Sequence, residues 1–244
     1  RCERYQSLPE DFRTKMEAAY LDKTFSVDKS SVHFAADALQ EILLTYGETL
    51  AFIAEIDAKF IKPHHQPVDF ELSIDETATP TTPAAHYFMA SEMEKAGIVL
   101  CSLAPRFCGE FQKAIDYIGD LASFEAEFAI HAAIADHFGY RLSVHSGSDK
   151  FSVFPIVGRY TKGRVHVKTA GTNWLEALRV ICRKEPDFFR ELCRFALARF
   201  DDATKFYHVT TDLTKVPDVK SLADNELERM LNEPDARQLL HITY

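Results

Sequence analysis

The chain has 244 residues, 46% of them hydrophobic, and a formal net charge of -9. That length and apolar content can bury a sizeable core, as one large domain or two small ones. The negative charge argues against binding nucleic acid or an anionic membrane through the whole surface, because either needs net positive potential; an acidic small molecule is compatible with it where basic side chains are local.

Five cysteines, Cys2, Cys101, Cys108, Cys182 and Cys193, have neither an even count nor CxxC spacing. They predict reduced, mostly core thiols of a cytoplasmic protein. No apolar run approaches the roughly 20 residues of a membrane span, and no secretory signal opens the chain. The first residue is Arg rather than Met, and residues 239–244 read as a strand cut off before its loop. Together these predict a processed or truncated chain.

Residues 1–25 predict a short helix, with Pro9, Glu10 and Asp11 in its first turn, where unpaired amides and the helix dipole favour them. A longer helix is expected from Asp28 or Ser30 to about Lys59, capped by Ser30 or Ser31. Phe34, Leu39, Ile42, Leu43, Tyr46, Leu50 and Ile53 are spaced for one apolar face of it. Pro63 ends it, and residues 64–67 form a linker.

Beyond the linker the pattern becomes strand and helix in alternation. Strands are expected at 69–74, 97–103, 141–146, 164–168, 206–210 and 239–243, and helices at 80–95, 110–117, 123–138, 174–182, 187–200 and 225–231. Strands recurring with helices between them predict parallel βα units and an α/β fold of the TIM-type (β/α) barrel class. The strands fall two short of a closed eight-stranded barrel, so the barrel is incomplete in this chain, with extra N-terminal helices. The expected division is a helical segment over 1–68 and a barrel region over 69–244.

Side chains alternate along a strand, so parity tells which residues share a face. Phe70, Leu72 and Ile74 fall on one face of the first strand, and Glu71, Ser73 and Asp75 on the other, which would point into the barrel. Ser143 pairs in this way with His145; Arg164 with His166 and Lys168; Phe206 with His208, Thr210 and Asp212; and Leu239 with His241 and Thr243. Four histidines at or near four strand ends, with Asp75 and Glu76 at another, form a plausible constellation for a divalent metal cation. Nitrogen and oxygen ligands of this kind accept Zn, Mn, Ni or Co. A single strand histidine is more often a satisfied core residue than a ligand; four in register bring the two readings level. His64 and His65 read as solvated linker residues, and His33, His86, His131 and His137 as surface or packing residues on helices.

Two polar turns follow the third and fourth strands. Ser146, Gly147, Ser148, Asp149 and Lys150 could hold an oxyanion with hydroxyls, amides and one cation. Thr169, Ala170, Gly171 and Thr172 follow Lys168, and that order also fits a Schiff-base lysine, whose amine is activated by desolvation. Either turn is common as a bare connection.

Several long motifs occur in order: ELSIDETATPTTPAAHYF over 71–88, SLAPRFCGEFQKAIDYIGD over 102–120, SVHSGSDKFSVFPI over 143–156, HVKTAGTNWLEALRVI over 166–181 and DARQLLHITY over 235–244. Together they resemble the tagaturonate/fructuronate epimerases, over most of residues 69–244. The resemblance implies a cytoplasmic, divalent-cation-dependent isomerase of hexuronate catabolism that converts D-tagaturonate to D-fructuronate. It also implies a longer protein than this chain. A small sugar acid is then the expected partner, with no nucleic acid and no membrane; the sequence carries no signal of oligomeric state.

On this reading Glu76, His208 and His241 hold the metal, Glu76 only where the strand ends before it; Asp75, which parity points inward, is the base and Lys168 the acid or carbonyl partner. His145, Ser146, Ser148, Lys150, His166 and Thr169 hold the substrate, with His145 or His166 as a further ligand and Arg106 an addition. The alternatives are a metal-dependent or Schiff-base aldolase or isomerase on another sugar acid, and a non-catalytic barrel that binds one.

Overall fold

The computed structural model describes residues 2–169 and 171–243. Arg1, Ala170 and Tyr244, which the expected first helix, second polar turn and last motif include, lie outside the described residues. The chain divides into two compact units. Unit 1 runs up to Cys108 and adds Leu121–Val144 and Ile156–His166; unit 2 comprises Gly109–Asp120, His145–Pro155 and the residues from Val167 onward.

Unit 1 opens with helices α1 (Cys2–Gln6) and α2 (Glu10–Tyr20), followed by an antiparallel hairpin of β1 (Thr24–Val27) and β2 (Ser30–His33). The hairpin replaces the expected start of the long helix and puts His33 on a strand. Val27 pairs with Ser30, so Asp28 and Lys29 make a two-residue loop, and Asp28 takes the positive φ of 49° that such loops require. Helix α3 (Ala36–Ile56) then carries Leu39, Ile42, Leu43, Tyr46 and Ile53 to the core, as the periodicity predicts. A wider turn, Asp57–Ile61, closes it.

Four parallel strands follow, in the order β3 (Glu71–Ile74), β4 (Ser102–Pro105), β5 (Arg141–Val144) and β6 (Val165–Val167). Glu71 lies opposite Ser102, and Ser102 opposite Arg141. Helix α4 (Pro83–Lys95) joins β3 to β4, and α5 (Leu121–Phe138) precedes β5. Thr82 caps α4, its hydroxyl accepting from the amide of Ala85 at 3.2 Å, with Pro83 at the first helical position. Gly97 ends α4 at a φ of 68°, while the amides of Gly97 and Ile98 return to the carbonyls of Glu94 and Met93. That turn delays β4 until Ser102, later than the apolar run at residue 97 suggests. The first four expected strands are thus present, β3, β5 and β6 shortened and β4 shifted toward the carboxyl end.

The remaining two expected strands are corrected. Residues 206–210 form no strand, and the amide of Thr210 donates to the side chain of Gln112 rather than to a neighbouring strand. Residues 239–243 lie mostly in helix α10 (Pro234–Ile242). Pro234 and Asp235 open that helix, and Ala236, Leu239, Leu240 and Thr243 are buried at helical spacing. Unit 2 also holds α7 (Asn173–Lys184), α8 (Pro186–Ala203) and the short α9 (Arg229–Asn232); α6 (Phe154–Thr161) crosses the boundary in sequence between the units. The core of unit 2 gathers Leu175, Phe189, Cys193, Met230, Leu231 and Leu239.

The expected helix over 110–117 is absent too. Residues 109–119 form a loop whose neck is closed by an isolated bridge between Glu110 and Ile118. Its carbonyls go to side chains instead of to amides four residues on. Lys150 donates to Gln112 and Ile115, Gln238 to Lys113, and Arg237 to Ala114. Ala114 accordingly takes a φ of 63°, which breaks the helical path.

Candidate functional site

The parity read from sequence holds on the sheet. Leu72 and Ile74 are buried on one face of β3, and Glu71, Ser73 and Asp75 belong to the other. That second face carries a row with one side chain from each strand of the sheet. The Ser102 hydroxyl donates to Glu71 Oε2 at 2.5 Å; His166 Nδ1 lies 2.7 Å from the same oxygen and 2.9 Å from the Ser143 hydroxyl. Ser143 and Ser102 are buried, whereas the His166 side chain is 48% exposed, so the row is anchored below and open at the imidazole.

The row also reports the shape of the sheet. β3 and β6 are its two edges, three strand spacings apart in the order of the sheet. Flat strands would separate them by roughly 14 Å, at about 4.8 Å per spacing, too far for a Glu and a His to join directly. Their contact requires the sheet to curl toward this face. The polar face is therefore concave.

With its proton on Nδ1, His166 donates to the Glu71 carboxylate and leaves Nε2 as its basic nitrogen. A carboxylate that fixes the tautomer and orientation of an imidazole in this way can support proton transfer at the other ring nitrogen. Neither Glu71 nor Ser102 was singled out by sequence. The sequence signal for Glu71 is its parity with Ser73 and Asp75 on β3.

The other expected site residues are distributed as follows. In unit 1, Asp75 follows β3 and accepts from the Ser73 hydroxyl, while Glu76 is exposed in the next turn. Arg106 donates to the carbonyl of Thr77 and holds the turn after β3. In unit 2, the amide of Gly147 donates to the carbonyl of Lys168 at 3.0 Å, which brings the two polar turns side by side. Ser146, at a φ of 49°, and His145 are half-buried there, Ser148 is buried, and Lys168 and Thr169 are exposed.

Lys150 is not at the surface. It is 0% exposed, and its ammonium donates to the carbonyls of Gln112, Ile115 and Ser148 at 2.7, 2.6 and 2.9 Å. Burial pushes it down to about 8, with Asp149 and Asp116 opposing that shift.

The side chain of His208, in a loop, is 73% exposed and lies 3.7 Å from Glu110. His241 is buried on α10, with its Nδ1 accepting from the indole of Trp174 at 3.1 Å. Burial, and then Lys113 and Arg237, lower its imidazole to about 4, so it is neutral at pH 7. Among the described residues no three His, Cys, Asp or Glu side chains converge to hold a metal ion. Of the ligand set expected from sequence, Glu76 belongs to unit 1 and His208 and His241 to unit 2.

A second buried cluster lies in unit 1. The Tyr140 hydroxyl is 2.6 Å from His86 Nε2, His86 Nδ1 is 2.8 Å from His131 Nδ1, and His131 Nε2 is 3.7 Å from Glu127. Among the described residues no helix is long and apolar enough to cross a membrane. Cys101, Cys182 and Cys193 are thiols outside any disulfide.

Parallel strands joined through helices, with a concave polar face carrying an imidazole held by a carboxylate, define an α/β protein. The chain belongs to the tagaturonate epimerase family UxaE, whose model matches residues 1–244. It is 42% identical to a tagaturonate/fructuronate epimerase of Thermotoga maritima over 244 residues, 99% of this chain and 50% of that protein. The native crystal structure of the fructuronate-tagaturonate epimerase UxaE from Cohnella laeviribosi matches with a TM-score of 0.97 at 54% identity, covering 99% of this chain and 49% of that one. A one-glycerol complex of the same enzyme matches at 0.96 and 55%, covering 99% of this chain and 49% of that one. The chain thus spans about half the length of these relatives.

Proposed function

We propose that this chain is the part of a tagaturonate/fructuronate epimerase that carries its proton-transfer face, with 69–244 as the catalytic region and 1–68 as an N-terminal addition. Family membership supports the substrate. The observation that carries the site is the contact of Glu71 with His166 across the edges of the sheet. The same curvature supports a (β/α) barrel whose other strands lie in the rest of a longer protein, since closing a barrel requires a curled parallel sheet.

The stereocentre inverted between D-tagaturonate and D-fructuronate is two carbons from the ketone, so the carbonyl does not acidify its hydrogen. Retro-aldol cleavage avoids that difficulty. Removal of the proton from the hydroxyl on that carbon breaks the carbon–carbon bond toward the ketone, giving an aldehyde and an enediolate. Rotation of the aldehyde and re-addition on its other face invert the centre, and the proton returns to the new alkoxide. His166 Nε2 is suited to take and return that proton, with Glu71 stabilising the imidazolium and Ser143 and Ser102 holding the pair. Asp75 and Lys168 remain part of the proposal as acid–base groups following β3 and β6, and Ser146, Ser148, Thr169 and His145 as substrate contacts.

The divalent cation implied by the resemblance finds no complete ligand set among the described residues, and the steps above use none. The dependence itself, and a cytoplasmic setting, belong to the proposal.

Epimerisation of D-tagaturonate by the full-length enzyme in deuterated water, followed by NMR, tests the reaction. Fructuronate without solvent deuterium at the inverted carbon is expected; deuterium there would replace retro-aldol cleavage with direct proton abstraction. A borohydride-trapped adduct at Lys168 would favour the Schiff-base aldolase reading.

A further inference from the structure

Unit 2 consists of three stretches that begin, in sequence, at or shortly after the carboxyl ends of β4, β5 and β6. Parallel βα enzymes present their chemistry on such stretches. One buried polar node ties all three together. Lys150, from the second stretch, donates to the carbonyls of Gln112 and Ile115 in the first and of Ser148 in its own. Arg237, from the third, donates to the Ala114 carbonyl at 3.0 Å and to Asp149 at 3.0 Å. Gln238 donates to the Lys113 carbonyl at 3.1 Å and to Gln112 Oε1 at 3.2 Å, an oxygen that also accepts from the amide of Thr210 at 2.9 Å.

We propose that Lys150 is a positioning residue for the reaction, fixing the 109–120 loop against the turn after β5 by clamping backbone carbonyls from within; this rests on the epimerase reading above. Three features point to it. The donors of an ammonium are three and fan out from one atom, and here each meets a carbonyl, so the group is filled as a clamp. Ala114 holds a φ of 63°, a conformation that persists for a non-glycine residue only where surrounding contacts over-determine it. The 109–120 loop is also packed tightly at its neck, where a Cβ added to Gly109 or Gly119 would come within 2.3 or 2.4 Å of the Tyr117 hydroxyl. The turn the loop is held against carries Ser146 and Ser148, the proposed substrate contacts, and small displacements of such groups cost rate.

The test uses the full-length enzyme carrying Lys150→Met, which keeps the length of the side chain and removes its donors. Amide hydrogen exchange over 109–120 is expected to accelerate by about tenfold or more while β3 to β5 keep their protection. At a temperature where the variant is fully folded, kcat for D-tagaturonate is expected to fall by about tenfold or more, with KM changed by less than about threefold. A merely structural lysine would not move kcat in the folded enzyme. Unchanged exchange in the loop would overturn the clamp, and faster exchange with wild-type kcat would overturn the positioning role. If Lys150→Met does not fold, Arg237→Met loosens the same loop through Ala114 and is read in the same way. A wild-type enzyme inactive on tagaturonate would sink the epimerase reading, while exchange still decides the clamp.

Discussion

Glu71 and His166 stand on the two edge strands of a four-stranded sheet, yet Glu71 Oε2 and His166 Nδ1 are 2.7 Å apart. That one distance records the curl of the sheet, and with the proton on Nδ1 it leaves Nε2 as the basic nitrogen of the imidazole. It also gives the concave face a carboxylate-supported base where four strands meet.

Stability should depend on the buried histidines. His86 is held well below 6.5 by burial and then by His131, with Tyr140 and, beyond His131, Glu127 completing its polar surroundings. His241 is lowered from 6.5 to about 4. In both cases the unfolded chain binds a proton that the folded chain refuses, so their contribution is full above 6.5 and is lost as pH falls through the folded values. Urea midpoints should therefore drop between pH 7.5 and 5, less steeply in His86→Gln. Midpoints independent of pH over that range would contradict this.

Gly109 should not tolerate a side chain. Its φ is 75°, and an added Cβ would meet the Tyr117 hydroxyl at 2.3 Å and its ring carbons at 2.5 Å. Gly109→Ala is expected to cost more than about 1 kcal/mol, seen as a lower Tm. Gly97, with φ 68° but nothing within 4 Å, gives the control: Gly97→Ala should cost only the backbone term.

Metal removal tests the implied cation. Dialysis of the full-length enzyme against a chelator should abolish conversion of D-tagaturonate, and Zn, Mn, Ni or Co should restore it. Full activity after chelation, with no metal by elemental analysis, would remove the cation from the proposal.

Much of this architecture was legible in the residues. Alternation in ELSI and in RLSV separates an apolar from a polar face, and that local rule survives folding in the burial of Leu72, Ile74, Leu142 and Val144. Helix α3 was legible from its apolar spacing alone. A short apolar run fits a strand or a helix equally well, which is what misreads the last segment. Residues 239–243 read as a strand, while the signals of the helix, Pro234 and Asp235, lie several residues upstream. Over 24–33 the short alternating runs flank Asp28 and Lys29, a hairpin signal hidden by the helix that follows. Lys150 sits in a turn whose composition reads as exposed, and only tertiary contacts with distant carbonyls place it inside. The Glu71–His166 pair, 95 residues apart in sequence, depends on curvature, which no local pattern encodes.

The most direct measurement is kcat for D-tagaturonate in full-length Glu71→Gln and His166→Gln, with folding checked by thermal denaturation. Both variants are expected to lose about 100-fold or more in kcat with Tm close to wild type, as removal of a general base and of its orienting carboxylate requires. Wild-type kcat in both would contradict the assignment of proton transfer to this face of the sheet.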